Sequence, residues 1–269
     1  MRNCAPARRP FLRLVLLATV LVTVLAACSR EEIDDSVPAE ELYERAHRAL
    51  QAGAWPTAVD RYKELTTRYP FGRHAEQAQL DMAYAMYKGR QGEEAITTLD
   101  RFVRTYPTHP NVDYAWYLKG LVHYDQAMGF LRRLFPGQVV DRDQSSARDA
   151  FMDFQELIRR FPESRYVADA RQRMVFLRNA MAEQDIVIGE YYFRRGAYIA
   201  AINRAEHVIE NYPQAPANID ALDLMARSYT RLDLPELAAD TRRVLEHNYG
   251  DVSLDRDEPS WWRRLWPFD

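Results

Sequence analysis

Cysteine is almost missing from this chain: there are two in 269 residues, Cys4 and Cys28. Two thiols cannot build a disulfide framework. Histidine is also uncommon, and the six, at positions 47, 74, 109, 123, 207 and 247, form no His-Glu-x-x-His or similar ligand spacing. The ten glycines never assemble into a phosphate-cradling loop, a dinucleotide fingerprint or a Gly-x-Ser-x-Gly elbow. No stretch alternates apolar and polar residues with period two, so a sheet is not expected. Asp141-Arg-Asp143 is read as an exposed acidic loop rather than a metal site. These absences predict a protein that is not an enzyme and that holds no cofactor or metal.

Long apolar runs are also scarce, and the conspicuous one, Leu14 to Val24, is well short of the ~20 residues that a spanning helix needs. Before it stand Arg2, Arg8, Arg9 and Arg13, and after it Leu25-Ala26-Ala27-Cys28. A basic head, an apolar core and a small-residue exit make residues 1–27 a secretory signal peptide. The last four residues resemble the lipobox of bacterial lipoproteins. That resemblance implies a diacylglycerol thioether on the Cys28 sulfur and an N-acyl chain on its new amine. Each buried methylene contributes about 0.8 kcal/mol, so such chains would hold a soluble domain at an outer membrane. Ser29, rather than Asp, follows the cysteine, which fits outer-membrane sorting by the rule of that class.

Cleavage before Cys28 would remove four arginines and no acid, leaving 32 basic and 39 acidic residues, net −7 against −3 for the whole chain. An acidic chain is a poor partner for nucleic acid, and none is expected. Residues 28–38 hold mostly acids and turn formers and read as a lipidated tether.

From residue 39 the sequence repeats. Tyr69-Pro70, Tyr106-Pro107, Phe161-Pro162, Tyr212-Pro213 and Tyr249-Gly250 recur at intervals of 37, 55, 51 and 37 residues. Twelve positions before each Pro or Gly stands an alanine: Ala58, Ala95, Ala150, Ala201 and Ala238. Five positions before stand Leu65, Phe102, Leu157, Val208 and Leu245. Offsets of −12, −8, −5 and −1 share one helix face, and the Pro or Gly stops the helix. At −24 the small residues Ala46, Ala83, Gly189 and Ala226 mark a partner helix, with Gly120 in that role if about 18 inserted residues follow it. Gly53, Gly92 and Gly196 are assigned to the intervening turns, Pro56 and Pro235 to first helical turns, and Asp233 with Glu236 to a capping box.

A helix-turn-helix unit of about 34 residues with this pattern resembles the tetratricopeptide repeat. The predicted fold is an all-α tetratricopeptide-type solenoid of five units, its inner groove lined mainly by first helices. Two irregularities divide it. Residues 129–146 read as an inserted loop, and residues 165–195 read as one helix that outruns its repeat. The units are therefore grouped as amino-terminal repeats 39–111 and carboxy-terminal repeats 112–250, with a change of groove direction between them. An aromatic-basic tail, 251–269, follows.

Several stretches are distinctive: "RYPFG" (68–72), "DRFVRTYPTHPNVDY" (100–114), "DRDQSSARDAFMDF" (141–154), "RMVFLRNAMA" (173–182) and "EYYFRRGAYIAAINR" (190–204). With the lipobox they resemble the BamD (ComL) family, lipoprotein subunits of the outer-membrane β-barrel assembly machinery. The resemblance runs from the lipobox to about residue 245. It implies a scaffold on the periplasmic face of the outer membrane that docks on the POTRA part of the barrel subunit BamA, carries the other Bam lipoproteins and receives unfolded outer-membrane protein precursors. A groove suits an extended precursor, and Tyr69, Phe71, Tyr84 and Tyr87 are the candidate substrate-binding residues, with "PTHPN" (107–111) beside them. Each of these aromatics can equally be core. The resemblance also implies that Arg204 forms an ionic contact with BamA, for which a guanidinium fork is suited. Arg204→Glu is then expected to weaken co-purification of BamA while leaving the helical circular dichroism intact.

Two other readings of a tetratricopeptide lipoprotein stand beside this one. Action in peptidoglycan or division control would make the distinctive stretches coincidental, and DNA uptake needs a basic groove that the charge opposes. The tail "PSWWRRLWPFD" (259–269) fits a membrane interface, a partner's groove, or the last repeat of its own chain.

Overall fold

The fold is described from a computed structural model over residues 37–134 and 144–250. The signal peptide, Cys28, most of the tether, Asp141 and Asp143, and the tail 251–269 lie outside the described residues.

Ten helices and no strand occur among the described residues. They are α1 Ala39–Gln51, α2 Trp55–Arg68, α3 Arg73–Lys88, α4 Gly92–Thr105, α5 Val112–Leu134, α6 Ser145–Arg160, α7 Val167–Arg194, α8 Tyr198–Asn211, α9 Asn218–Arg231 and α10 Pro235–Tyr249. They pair as five hairpins, each packed on the next, which is the tetratricopeptide arrangement. First helices also touch the next first helix, α1 with α3, α3 with α5 and α7 with α9. That closeness puts first helices on the inner curve.

The small-residue columns explain the packing. Ala58, Ala95, Ala150, Ala201 and Ala238 are all 0–1% exposed, and Leu65, Phe102, Leu157 and Val208 are fully buried beside them. Two glycines in the first-helix column sit where a neighbouring side chain crowds them, a rigid ring at Gly120 and the tip of a leucine at Gly189. A Cβ on Gly120 would lie 2.5 Å from Phe154 Cε1, and one on Gly189 would lie 2.7 Å from Leu224 Cδ2. Each core cluster draws on successive helices. One joins Leu80, Ala83, Leu99, Phe102, Ala115 and Leu118, so packing is continuous across residues 111 and 112. The long α7 contributes Leu177 and Met181 to the cluster around Phe154, then Ala182 and Ile186 to the cluster around Leu224. It is shared by two hairpins.

Three local expectations need correction. Residues 129–134, read as loop, continue α5 to Leu134. Gly92 is not a turn residue but the first residue of α4, where a Cβ would meet Gln126 Nε2 at 3.0 Å and Val122 Cγ1 at 3.3 Å. Close approach of α5 is its reason. Asp233 makes no capping box: it holds φ 57°, Leu234 is the N-cap, and no side-chain cap bond forms.

In every hairpin but the third, the turn position is instead seventeen residues before the terminal Pro or Gly. Gly53 (φ 72°), Arg90 (φ 63°), Gly196 (φ 77°) and Asp233 (φ 57°) occupy it, all left-handed. Glycine adopts this region freely and aspartate tolerates it, whereas the Cβ of an arginine is strained there. Arg90→Gly is therefore expected to raise unfolding stability by about 0.5–1 kcal/mol, and Asp233→Gly by less. Thermal unfolding of the two variants tests this, and a loss at position 90 would refute the strain.

Candidate partner-binding surfaces

The four candidate aromatics divide between the two ends of α3, a 16-residue helix about 24 Å long. Tyr69 caps α2 at one end. Its hydroxyl donates to the Val37 carbonyl (2.9 Å) and its ring packs on the first core cluster, so its role is structural. Phe71, two residues on, is 89% exposed, the most exposed large apolar side chain among those described. Gly72 follows it at φ 100°, a backbone value that lets α3 start abruptly and leaves Phe71 standing out. The "PTHPN" loop shares this end of the stack. Its Asn111 amide donates to Gln77 Oε1 on α3 (3.1 Å), and His109 lies edge-on against Phe102.

Tyr84 and Tyr87 occupy the other end. Tyr84 meets Trp55 edge-on at 6.3 Å, and the Lys88 ammonium sits 5.9 Å from the same indole. Trp55 is thus part of this patch, although as the first residue of α2 it stands outside the repeating columns and was not singled out by them. Tyr87 donates its hydroxyl to Asp125 Oδ2 on α5 (2.5 Å). Burial first, then that hydrogen bond, pushes its phenol above the ordinary tyrosine range.

The Tyr87 bond is one rung of a series between first helices. Tyr43 on α1 donates to Asp81 on α3 (2.7 Å), and Tyr117 on α5 donates to Asp169 on α7 (2.8 Å). Arg227 on α9 pairs with Glu190 on α7. The Tyr117 phenol is pushed up to about 12, by burial and then by its bond to Asp169. The first two rungs each span 38 residues, a recurrence readable in the sequence once the helices are aligned.

Arg204 lies on α8, and its surroundings alter the expectation made for it. Its Nη1 donates to Asp185 Oδ1 on α7 (3.1 Å), while His207 Nδ1 lies 3.0 Å from Asp185 Oδ2. Asp185 has a side chain only 3% exposed, whereas Arg204 and His207 are 42% and 44% exposed. A buried carboxylate therefore holds two half-exposed basic side chains in place, with guanidinium donors left over for a partner. Arg204→Glu would set a second carboxylate against Asp185. The variant perturbs the fold as well as the surface, and intact helical dichroism no longer separates the two. Asp185 escaped the sequence reading because nothing local links it to Arg204, nineteen residues on.

No helix among the described residues is long and apolar enough to cross a membrane. Residues 35–245 match the family model YfiO, described as an outer membrane lipoprotein. The outer membrane protein assembly factor BamD of Neisseria meningitidis serogroup B is 40% identical over 93% of this chain and 98% of its own length. The BamD of Xylella fastidiosa strain Temecula1 is 40% identical over 88% of this chain and 81% of that protein. That of Vibrio cholerae is 37% identical over 87% and 97%. Among solved structures, the TPR2AB domain of yeast Sti1 aligns with 78% of this chain and 76% of its own at 14% identity and a TM-score of 0.44. An all-helical stack of five hairpins, matched along nearly its whole described length, places the chain in the BamD family of outer membrane protein assembly factors.

Proposed function

We propose that this chain is a non-enzymatic assembly factor for outer-membrane proteins, acting as a scaffold that holds other proteins in place. The family membership over residues 35–245 carries this reading. In it, lipid on Cys28 anchors the stack to the periplasmic face of the outer membrane. Arg204, steadied by Asp185, grips a carboxylate on the POTRA part of BamA. The remaining surface organises the other Bam lipoproteins, and unfolded β-barrel precursors are received at the amino-terminal repeats.

The geometry ranks the precursor-binding candidates. Phe71 stands 89% exposed and its contacts are open to a ligand, whereas the Tyr69 and Tyr87 hydroxyls are already bonded within the fold. A photo-reactive residue at position 71 is expected to crosslink an unfolded barrel precursor, position 84 to do so more weakly, and position 69 not at all. Crosslinking that is equal at all three positions, or confined to 69, would remove the site. Affinity purification from detergent-solubilised outer membrane tests the scaffold itself, since a preparation lacking BamA would overturn the docking reading.

A further inference from the structure

The side of α7 that presents Asp185 to Arg204 runs on well beyond that pair. Asp185, Arg178, Met174 and Arg171 stand seven, four and three residues apart, so they share one side of the helix over about 21 Å. At the Met174 end a cleft of about 520 Å³ opens between α6 and α7, with Gln155, Ile158 and Arg159 on its α6 wall. That wall borders an outward face of α6 formed by Arg148, Met152, Gln155 and Arg159, spaced four, three and four residues apart and all exposed. Met152 is 55% exposed, and Val175, next to Met174, is 48% exposed. Apolar surface therefore lies on both helices at the cleft.

Charge around it is one-sided. Glu156 is the only acid among the described residues that line the cleft, and it is already held by Arg159 (2.6 Å) and by Arg160. Arg148 and Arg178 reach only amide oxygens, the first that of Gln144 (3.3 Å), the second those of Asn179 (3.2 Å) and Gln214 (2.9 Å). Arg171 is exposed and makes no ion pair among the described residues. Arginine and methionine are the side chains enriched where proteins meet, and a methionine adapts to whatever apolar group it receives. The complementary ligand carries carboxylates that accept the guanidinium donors, with an apolar side chain between them. A phosphate group alone would leave the methionines uncovered.

We infer that the Arg204 contact is one end of a longer site, along which the same partner lays an acidic segment. Its carboxylates meet Arg178 and Arg171, and an apolar side chain enters the cleft beside Met152 and Met174. This rests on the reading of Arg204 as a BamA contact, and the test keeps the two apart. The mature chain in detergent is titrated with purified BamA. The double variant Arg171→Glu with Met152→Ser changes two exposed side chains and is expected to weaken binding by about tenfold, as Arg204→Lys also does. Ile199→Ser removes a 58% exposed apolar side chain from α8, off the strip, and is expected to bind like the parent. A photo-reactive residue at position 155 is expected to crosslink a BamA peptide rich in acids, a readout that does not depend on how the double variant folds. Loss with Arg204→Lys alone overturns the longer site and leaves the Arg204 reading standing. Loss with the double variant alone overturns that reading and the continuity built on it, and loss with neither overturns both. Equal loss with Ile199→Ser, or no crosslink from position 155, overturns the longer site as well.

Discussion

Arg204→Glu is expected to lose stability and partner binding together, whereas Arg204→Lys is expected to lose binding alone. Removing one partner of a buried ion pair leaves the other charge uncompensated, at a cost of about 3–5 kcal/mol. Asp185 is the buried partner here, and because Arg204 is 42% exposed the effect sits at the lower end of that range. His207 remains beside Asp185 and limits the damage, but the new carboxylate at 204 adds repulsion. Lysine keeps a cation within reach of Asp185 while losing the two-pronged geometry that suits a partner's carboxylate. Chemical denaturation read alongside BamA co-purification separates the cases. If both variants unfold like the parent, Asp185 does not depend on Arg204. If Lys binds as well as Arg, no fork is used.

Gly120→Leu is expected to be the most destabilising single change in the stack, by at least about 3 kcal/mol, since overpacking a close-packed core costs about 1–3 kcal/mol for smaller insertions. Even a methyl there would stand 2.5 Å and 2.7 Å from two ring carbons of Phe154, which is fully buried and has nowhere to turn. Melting should fall by roughly 6–12 °C for a chain of this size. Gly189→Ala is the control. Its methyl meets the tip of Leu224 at 2.7 Å, a flexible group, and the helix gains about 1 kcal/mol from losing a glycine. A melting point for Gly120→Leu within two or three degrees of the parent's, with Gly189→Ala the worse of the pair, would show that the close approach of α5 and α6 is not rigid.

The repeat architecture was legible because it rests on packing, and packing leaves a periodic trace. Ala58, Ala95 and Ala150 recur at one offset since a helix can approach closely only over a small side chain. What stayed hidden was set by backbone geometry or by contacts distant in sequence. Asp233 and Glu236 have the letters of a capping box, yet the left-handed turn claims Asp233 before it can cap. Gly92 looked like a turn because glycines often are, while the true turn residue of that hairpin is Arg90, whose side chain gives no hint of it. Among the candidate site residues, Phe71 was readable only as one of four aromatics, and its exposure was not distinguishable from the burial of Tyr69 two residues away. Arg204 came from resemblance, and its dependence on Asp185 needed the fold.

The tyrosine–carboxylate rungs join one hairpin to the next and never the two helices of a single hairpin. Uncoiling the stack would therefore have to break Tyr43–Asp81, Tyr87–Asp125 and Tyr117–Asp169 in addition to the apolar packing between hairpins, whereas flexing within one hairpin leaves all three in place.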